Sequence, residues 1–246
     1  MNILQSFILG LIQGLTEFLP VSSSGHLILA CNAIGVVPSL SFEIALHAAT
    51  LLAVLIYYRK TVINLVRHPF NAKNFYLLSA TAVTAVFAFA LRDFADVMQN
   101  GKLLPLFFML TAVTLIAGGL IKPAKRHFAA SCIAVGIAQG IAVIPGLSRS
   151  GLTVSAGIMA GENREDATEN SFLLSVPVII SSSIIELFSH PLTGIEMAPL
   201  ITGLITAFIS GLAALKLFSL INKKASPAVF SVYLIVLSAA LLIIKF

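Results

Sequence analysis

Residues 13–27 read QGLTEFLPVSSSGHL (Gln13 to Leu27), and they break an apolar run that extends from about residue 2 to 37. A second apolar run, about 129–160, is broken in the same manner by PGLSRSG (Pro145 to Gly151). The arms beside each break are only about 10–17 residues long, whereas a helix crossing a bilayer core needs about 20 apolar residues. Short apolar arms around a polar, Pro- and Gly-containing centre read as a broken or re-entrant helical hairpin.

Six uninterrupted apolar segments surround the two breaks: 42–58, 74–92, 104–121, 171–189, 197–218 and 228–244. Each is long enough to span. Aligning the breaks matches Gln13-Gly14 to Gln139-Gly140 and Ser22-Ser23-Ser24-Gly25 to Ser148-Arg149-Ser150-Gly151, all at an offset of 126. Each half is then one hairpin followed by three spans, the mark of an internal repeat. A hairpin that enters and leaves on one side adds no crossing, so three crossings per half invert the second half relative to the first. The expected fold is all-α: a single integral membrane domain over 1–246, with six transmembrane helices and two re-entrant hairpins in inverted-topology repeat. One half is 1–121 (hairpin 2–37 plus three spans) and the other is 129–244 (hairpin 129–160 plus three spans).

Composition agrees. Apolar residues make up 58% of the 246 and charged residues 10%, against about 25% charged in soluble proteins. Mean hydropathy is +1.01. So few charges do not cover a water-exposed surface of this size, which excludes a soluble domain, and the apolar content excludes disorder. Cys31 and Cys132 lie in apolar runs and read as two buried small residues rather than a disulfide scaffold. The net charge of +5 reads as Lys and Arg kept in cytoplasmic loops rather than as a nucleic-acid footprint, so no nucleic-acid partner is expected. The opening MNILQSFILG has no basic n-region and no small-residue cleavage site before Glu17, so no removable signal peptide is expected.

The loops near 59–73, 122–126, 162–170 and 216–224 carry eleven Lys and Arg, and the opposite side carries Arg92, Lys102 and Lys245. The positive-inside rule puts the first set in the cytoplasm, with both termini and the first hairpin outside and the second hairpin entering from the cytoplasm.

The breaks hold the chemistry. Ser22 to Gly25 and Ser148 to Gly151 each precede an apolar helical run, and helix starts present unpaired N–H groups and a partial positive charge to anions. The same serines also suit ordinary N-caps. Arg149 at membrane depth calls for an anionic partner, either a bound phosphate or Glu17. Gln13 and Glu17, at i and i+4, place two oxygens on one helix face, an arrangement for a hard divalent cation, Mg²⁺ or Ca²⁺, completed by substrate phosphate. His26 either moves a proton or is a hydrogen-bonded interior histidine. Thr153, one turn past Arg149, adds a hydroxyl. Glu43 and His47 either pair with each other or face the site, and Glu186 stands near a span end. Glu162, Arg164, Glu165, Asp166 and Glu169 read as a solvated helix face with local ion pairs, and Ser181 to Ser183 as small-residue helix packing.

With these residues in place, QGLTEFLPVSSSGHL and PGLSRSGLT (Pro145 to Thr153) resemble the two signatures of the undecaprenyl-diphosphate phosphatase family of the bacitracin-resistance type. FEIALHAATLLAVLIYYR (Phe42 to Arg59) and NREDATENSFLLSVPVI (Asn163 to Ile179) resemble it too. The resemblance implies six spans with two re-entrant hairpins, a polyprenyl diphosphate as lipid substrate among the membrane lipids, and its hydrolysis to the monophosphate, recycling the carrier of cell-wall synthesis. It assigns Glu17 to metal or base work, Ser23 and His26 to the attacking or proton-transferring group, and Arg149 with Ser148 and Thr153 to phosphate binding. The helix-start residues Ser22, Ser24, Gly25, Ser150 and Gly151 belong to the same phosphate cradle. Where the family often has a carboxylate this chain has Gln13, which leaves Glu17 as the main charged metal ligand. The attacking group, Ser23, His26 or water, stays open, as does a homo-oligomer. The inverted repeat by itself favours a lipid-phosphate transporter or flippase, while the Ser, Arg, Glu and His constellation and the family resemblance favour the enzyme.

Overall fold

The computed structural model describes residues 1–121, 128–189 and 196–244, without the side chains of 185–189. Lys122, Lys125, Arg126 and Lys245 of the charge count, and the Glu186 side chain, therefore lie outside the described residues. All regular structure among the described residues is helical. In chain order the helices are α1 (Ile3–Phe18), α2 (Ser23–Ile34), α3 (Leu40–Tyr57), α4 (Arg59–Arg67), α5 (Ala72–Met98), α6 (Leu104–Leu120), α7 (Phe128–Ile141), α8 (Arg149–Met159), α9 (Arg164–Ser189), α10 (Met197–Lys224) and α11 (Val229–Ile243).

The arms of each break are helices: α1 and α2 around residues 19–22, and α7 and α8 around residues 142–148. At about 1.5 Å per residue none of the four reaches the roughly 30 Å of a bilayer core. By contrast α3, α5 and α10 are long and apolar enough to cross a membrane, while α6 and α11, also expected as spans, are apolar helices of 17 and 15 residues. Helix starts follow the polar residues before them: Asn2 and Gln5 close a reciprocal capping box on α1, and Ser39 and Asn71 cap α3 and α5.

Three stretches expected as loops are helical. Residues 59–67 form α4, with Val62 and Leu65 packed on the core below its Arg and Lys residues. Residues 164–170 begin α9, and 216–224 continue α10. The apolar window of a span ends where charge begins, but the backbone ladder runs on until a cap or Pro stops it, here at Ser226-Pro227 after α10. The charged face opening α9 is paired across to other helices rather than, as expected, locally: Glu165 with Lys223 of α10 and Glu169 with Lys73 of α5. Glu162 departs from that expectation. It is buried, and its carboxylate accepts from Ser131 Oγ and from Asn170 Nδ2. Cys132 is buried as expected and Cys31 only half-buried.

The molecule is apolar outside and partly polar within. Phe89 is 81% exposed and Phe75 68%, while Gln13, Thr50, Thr111, Thr153 and Ser171 are fully buried. That distribution suits a lipid surround, where polar groups must find partners inside. Two close helix contacts position the breaks. α1 lies on α10, where a Cβ on Gly10 would come 2.5 Å from Gly203 O and one on Gly14 2.0 Å from Ser210 Oγ. α7 lies on α5, where a Cβ on Gly136 would come 2.7 Å from Ala80 O and one on Gly140 2.4 Å from Phe87 Cβ. Ser210 Oγ donates to Gly10 O at 3.4 Å, and Thr84 Oγ1 donates to Gly136 O at 3.1 Å. These two bonds are related by the same offset of 126 residues. Each broken pair thus leans on the long helix that begins the last hairpin of the other half, and the starts of α2 and α8 come to one place.

Candidate active site

The two breaks are built alike. Ser22 caps α2, its Oγ accepting from Gly25 N at 3.4 Å, and Ser148 caps α8, its Oγ accepting from Gly151 N at 3.1 Å. The capping role weighed from sequence is therefore present in both. Ser22 has φ +73°, a conformation that costs a residue with a side chain about 1–3 kcal/mol. It sets the turn that delivers Ser23. In the second break a glycine, Gly146 at φ +93°, takes the left-handed position.

Between the helix starts runs a continuous polar chain. The Glu17 side chain is 4% exposed. Its Oε1 accepts from Arg149 Nη2, and its Oε2 accepts from Ser23 Oγ at 2.6 Å and from Gln13 Nε2 at 3.1 Å. His47 Nδ1 lies 3.6 Å from the same Oε2. Burying a carboxylate and a guanidinium is costly unless each is paired, and here each holds the other across 132 residues of sequence. Pairing uses one prong of the guanidinium. Arg149 Nη1 is buried with no hydrogen-bond partner, a desolvated cationic donor whose natural complement is a phosphate oxygen.

A cavity of about 310 Å³ is lined by Glu17, Ser22, Ser23, Ser24, Ser148 and Arg149. Six of the sequence candidates therefore meet. The lining also includes the apolar Ala88, Ala142, Val143, Leu147, Val178 and Ile179, interspersed with Thr84, Gln139, Ser175 and Ser182. A mixed polar and apolar lining suits a phosphate head with a hydrocarbon tail.

The remaining candidates stand behind the cavity. His26, expected at the reacting centre, has Nδ1 2.8 Å from Ser22 O and Nε2 2.7 Å from the Tyr233 hydroxyl, so both ring nitrogens are engaged away from the lining. A carbonyl only accepts, which makes Nδ1 the donor and leaves Nε2 to accept from Tyr233. Gly25 packs under Phe108, whose ring would lie 2.7 Å from an added Cβ. Ser150 Oγ donates to Leu19 O at 3.2 Å and so ties α8 to the first break. Gly151 supplies the N–H that Ser148 caps. Thr153 Oγ1 donates to Arg149 O at 2.7 Å and meets Ser171 Oγ at 2.6 Å, holding the first turn of α8 rather than offering its hydroxyl to the cavity. Gln13 is also behind the lining, held to Glu17.

His47 is the residue the sequence underused. It faces the site, with Nδ1 2.9 Å from Gln13 Nε2, rather than pairing with Glu43. Its signal was a polar residue inside an otherwise apolar span. Gln139 and Thr84 also line the cavity, joined by a 3.4 Å hydrogen bond from Gln139 Nε2.

The oxygens beside Glu17 fit a hard cation in one respect: Gln13 Oε1 is buried and without a hydrogen-bond partner, and hard divalent cations take such carbonyl and carboxylate oxygens.

Comparison with known proteins gives the chain its relatives. The family described as bacitracin resistance protein BacA matches residues 6–240. An undecaprenyl-diphosphatase of Carboxydothermus hydrogenoformans is 36% identical over 256 residues, covering 100% of this chain and 98% of that protein. Others are those of Treponema denticola, 39% identical with 98% and 97% covered, and Korarchaeum cryptofilum, 34% identical with 98% and 99% covered. With a match along nearly the whole chain and its signature residues gathered around one cavity, this protein belongs to the BacA family.

Proposed function

We propose that the chain hydrolyses undecaprenyl diphosphate to the monophosphate and inorganic phosphate. The observation that carries the reading is the chain Ser23–Glu17–Arg149 in a cavity of mixed polar and apolar lining. The relatives' shared name, undecaprenyl-diphosphatase, supports it. Ser23 Oγ attacks the terminal phosphorus while its proton passes to Glu17 Oε2. The bond from that phosphorus to the bridging oxygen breaks, and its electron pair leaves with the lipid monophosphate. Water then attacks the phosphoserine, the bond from phosphorus to Ser23 Oγ breaks, Glu17 returns its proton to that Oγ, and both hydrogens of the water leave on the released phosphate (H2PO4⁻), with Ser23 and Glu17 restored. Arg149 Nη1 and the N–H groups opening α2 and α8 take the charge that develops on the phosphoryl oxygens.

Glu17 offsets much of the Arg149 charge, so a diphosphate calls for further positive charge. Mg²⁺ or Ca²⁺, held by Glu17 and Gln13 with phosphate and water oxygens, would supply it and neutralise the departing monophosphate.

The fold reading proposed with it is a single domain of six spans and two re-entrant hairpins (α1–α2 and α7–α8) in inverted repeat, with both termini outside. The matched α1–α10 and α5–α7 packings support the repeat. Cysteines introduced at Asn2 and at Lys60 should label from opposite sides of sealed vesicles. Labelling from one side overturns the crossing count.

The test of the activity is phosphate release from a polyprenyl diphosphate by purified protein in detergent, where transport has no meaning. Release at catalytic rates is expected. Its absence, with binding retained, would favour a lipid-phosphate carrier.

A further inference from the structure

The amide of Gln13 stands between two acceptors. Its Nε2 donates to Glu17 Oε2 at 3.1 Å and lies 2.9 Å from His47 Nδ1. A carboxylate oxygen only accepts, so Glu17 fixes the amide with its nitrogen inward. That nitrogen has two hydrogens and nothing to accept with, so the ring nitrogen it faces must be the acceptor. His47 Nδ1 therefore carries no hydrogen, and the imidazole is held as the Nε2–H tautomer. Nε2 has no hydrogen-bond partner among the described residues.

The position of that spare donor is informative. The His47 side chain is 35% exposed. It lines the cavity of Ser23 and Arg149 and also a neighbouring cavity of about 490 Å³ that contains Ser24, Asn32 and Glu43. His47 thus stands at the neck between them. Ser23 Oγ donates to Glu17 Oε2, and His47 Nδ1 lies 3.6 Å from the same oxygen, so the ring edge borders the place where Ser23 meets phosphorus.

We propose that His47 is a further substrate-contacting residue: its Nε2–H, kept in the donor form by Gln13, hydrogen-bonds a terminal phosphate oxygen of the bound diphosphate. This rests on the reading that the diphosphate occupies the Ser23–Arg149 cavity. A neutral donor suits the place, because it adds an N–H to the phosphate without exchanging a proton with the Glu17–Ser23 pair. It also gives Gln13 a second task that a carboxylate there would not perform. A carboxylate accepts from Nδ1–H, turns the tautomer over, and presents a lone pair to the phosphate instead of a hydrogen.

The experiment uses full-length protein with ¹⁵N-labelled histidine in detergent, the His47 signals being assigned by their loss in His47→Asn. In the parent protein the shifts should be those of an Nε2–H imidazole, and Gln13→Glu should move them away from that tautomer. A non-hydrolysable polyprenyl methylenediphosphonate should shift the Nε2 signal. In kinetics, His47→Asn should lower kcat/KM about 10- to 100-fold, the loss of one hydrogen bond to a charged group, and mainly through KM. His47→Gln, whose amide reaches the Nε2 position, should recover most of it. An Nδ1–H tautomer in the parent protein overturns the proposal. So does an analogue whose binding is lost in Arg149→Ala while it leaves the His47 signals unmoved in the parent. Analogue binding that survives Arg149→Ala instead brings down the cavity reading on which the proposal stands.

Discussion

The two helix starts share a backbone and divide the chemistry. Each is a serine-capped start, Ser22 on α2 and Ser148 on α8, with a glycine donating to the cap. At the next position the first carries Ser23 and the second Arg149; one turn or more before, the first carries Glu17 and the second Val143. In the mechanism proposed above, one break therefore brings the nucleophile and its base, and the other brings the cation. Behind them the same division recurs: His26 meets Tyr233, while its counterpart Leu152 packs in the cluster that contains Phe107. The two serine-capped helix starts match in their caps, and substitution at single positions makes them unlike. Neither half holds the whole site.

That division is open to test. The largest effect should come from the first break: Glu17→Gln removes the proton acceptor of Ser23 and should lower turnover about 10²- to 10⁴-fold, measured as phosphate release. Near-normal turnover would make Glu17 merely the partner of Arg149. In the second break, Arg149→Ala should cost about 10²- to 10³-fold, with Arg149→Lys recovering only part because an ammonium lacks the fork that holds Glu17 and phosphate together. Full recovery by lysine would reduce Arg149 to a point charge.

Metal dependence should follow the first break alone. Chelation should suppress turnover and Mg²⁺ or Ca²⁺ restore it, while Gln13→Leu should weaken cation affinity about 10- to 100-fold, read by titration of activity or by calorimetry. Equal affinity in that variant would move the cation away from Gln13. The smallest effect separates the two glycines. An added Cβ at Gly25 meets the Phe108 ring at 2.7 Å, whereas at Gly151 its nearest neighbour is 3.1 Å away. Gly25→Ala should cost about 1–3 kcal/mol by thermal unfolding in detergent, and Gly151→Ala less.

Much of this was legible in the chain. The two breaks, their serines and Arg149 announce themselves because clustered polar residues with Pro and Gly interrupt runs that are otherwise apolar. The helix limits were less legible: α4 and the polar ends of α9 and α10 were hidden because charge stops a hydropathy window without stopping a helix. His26 and His47 were read in the wrong order of importance. Both are lone histidines near the breaks, and only the packing of α11 beside α2 and of α3 beside α1 turns the first toward Tyr233 and the second toward Glu17.

The sequence by itself determined a membrane-embedded helical chain, the places where its helices break, the caps that restart them and the set of groups available for phosphate chemistry. These depend on composition, on spacing within a few residues and on backbone groups that must be satisfied locally. Only the tertiary structure decided which group meets which. Glu17 and Arg149 are joined because Gly10 and Gly14 let α1 close on α10 while Gly136 and Gly140 let α7 close on α5. A buried charge takes the partner that helix packing brings within reach, and that distance is a property of the assembled helices rather than of any one of them.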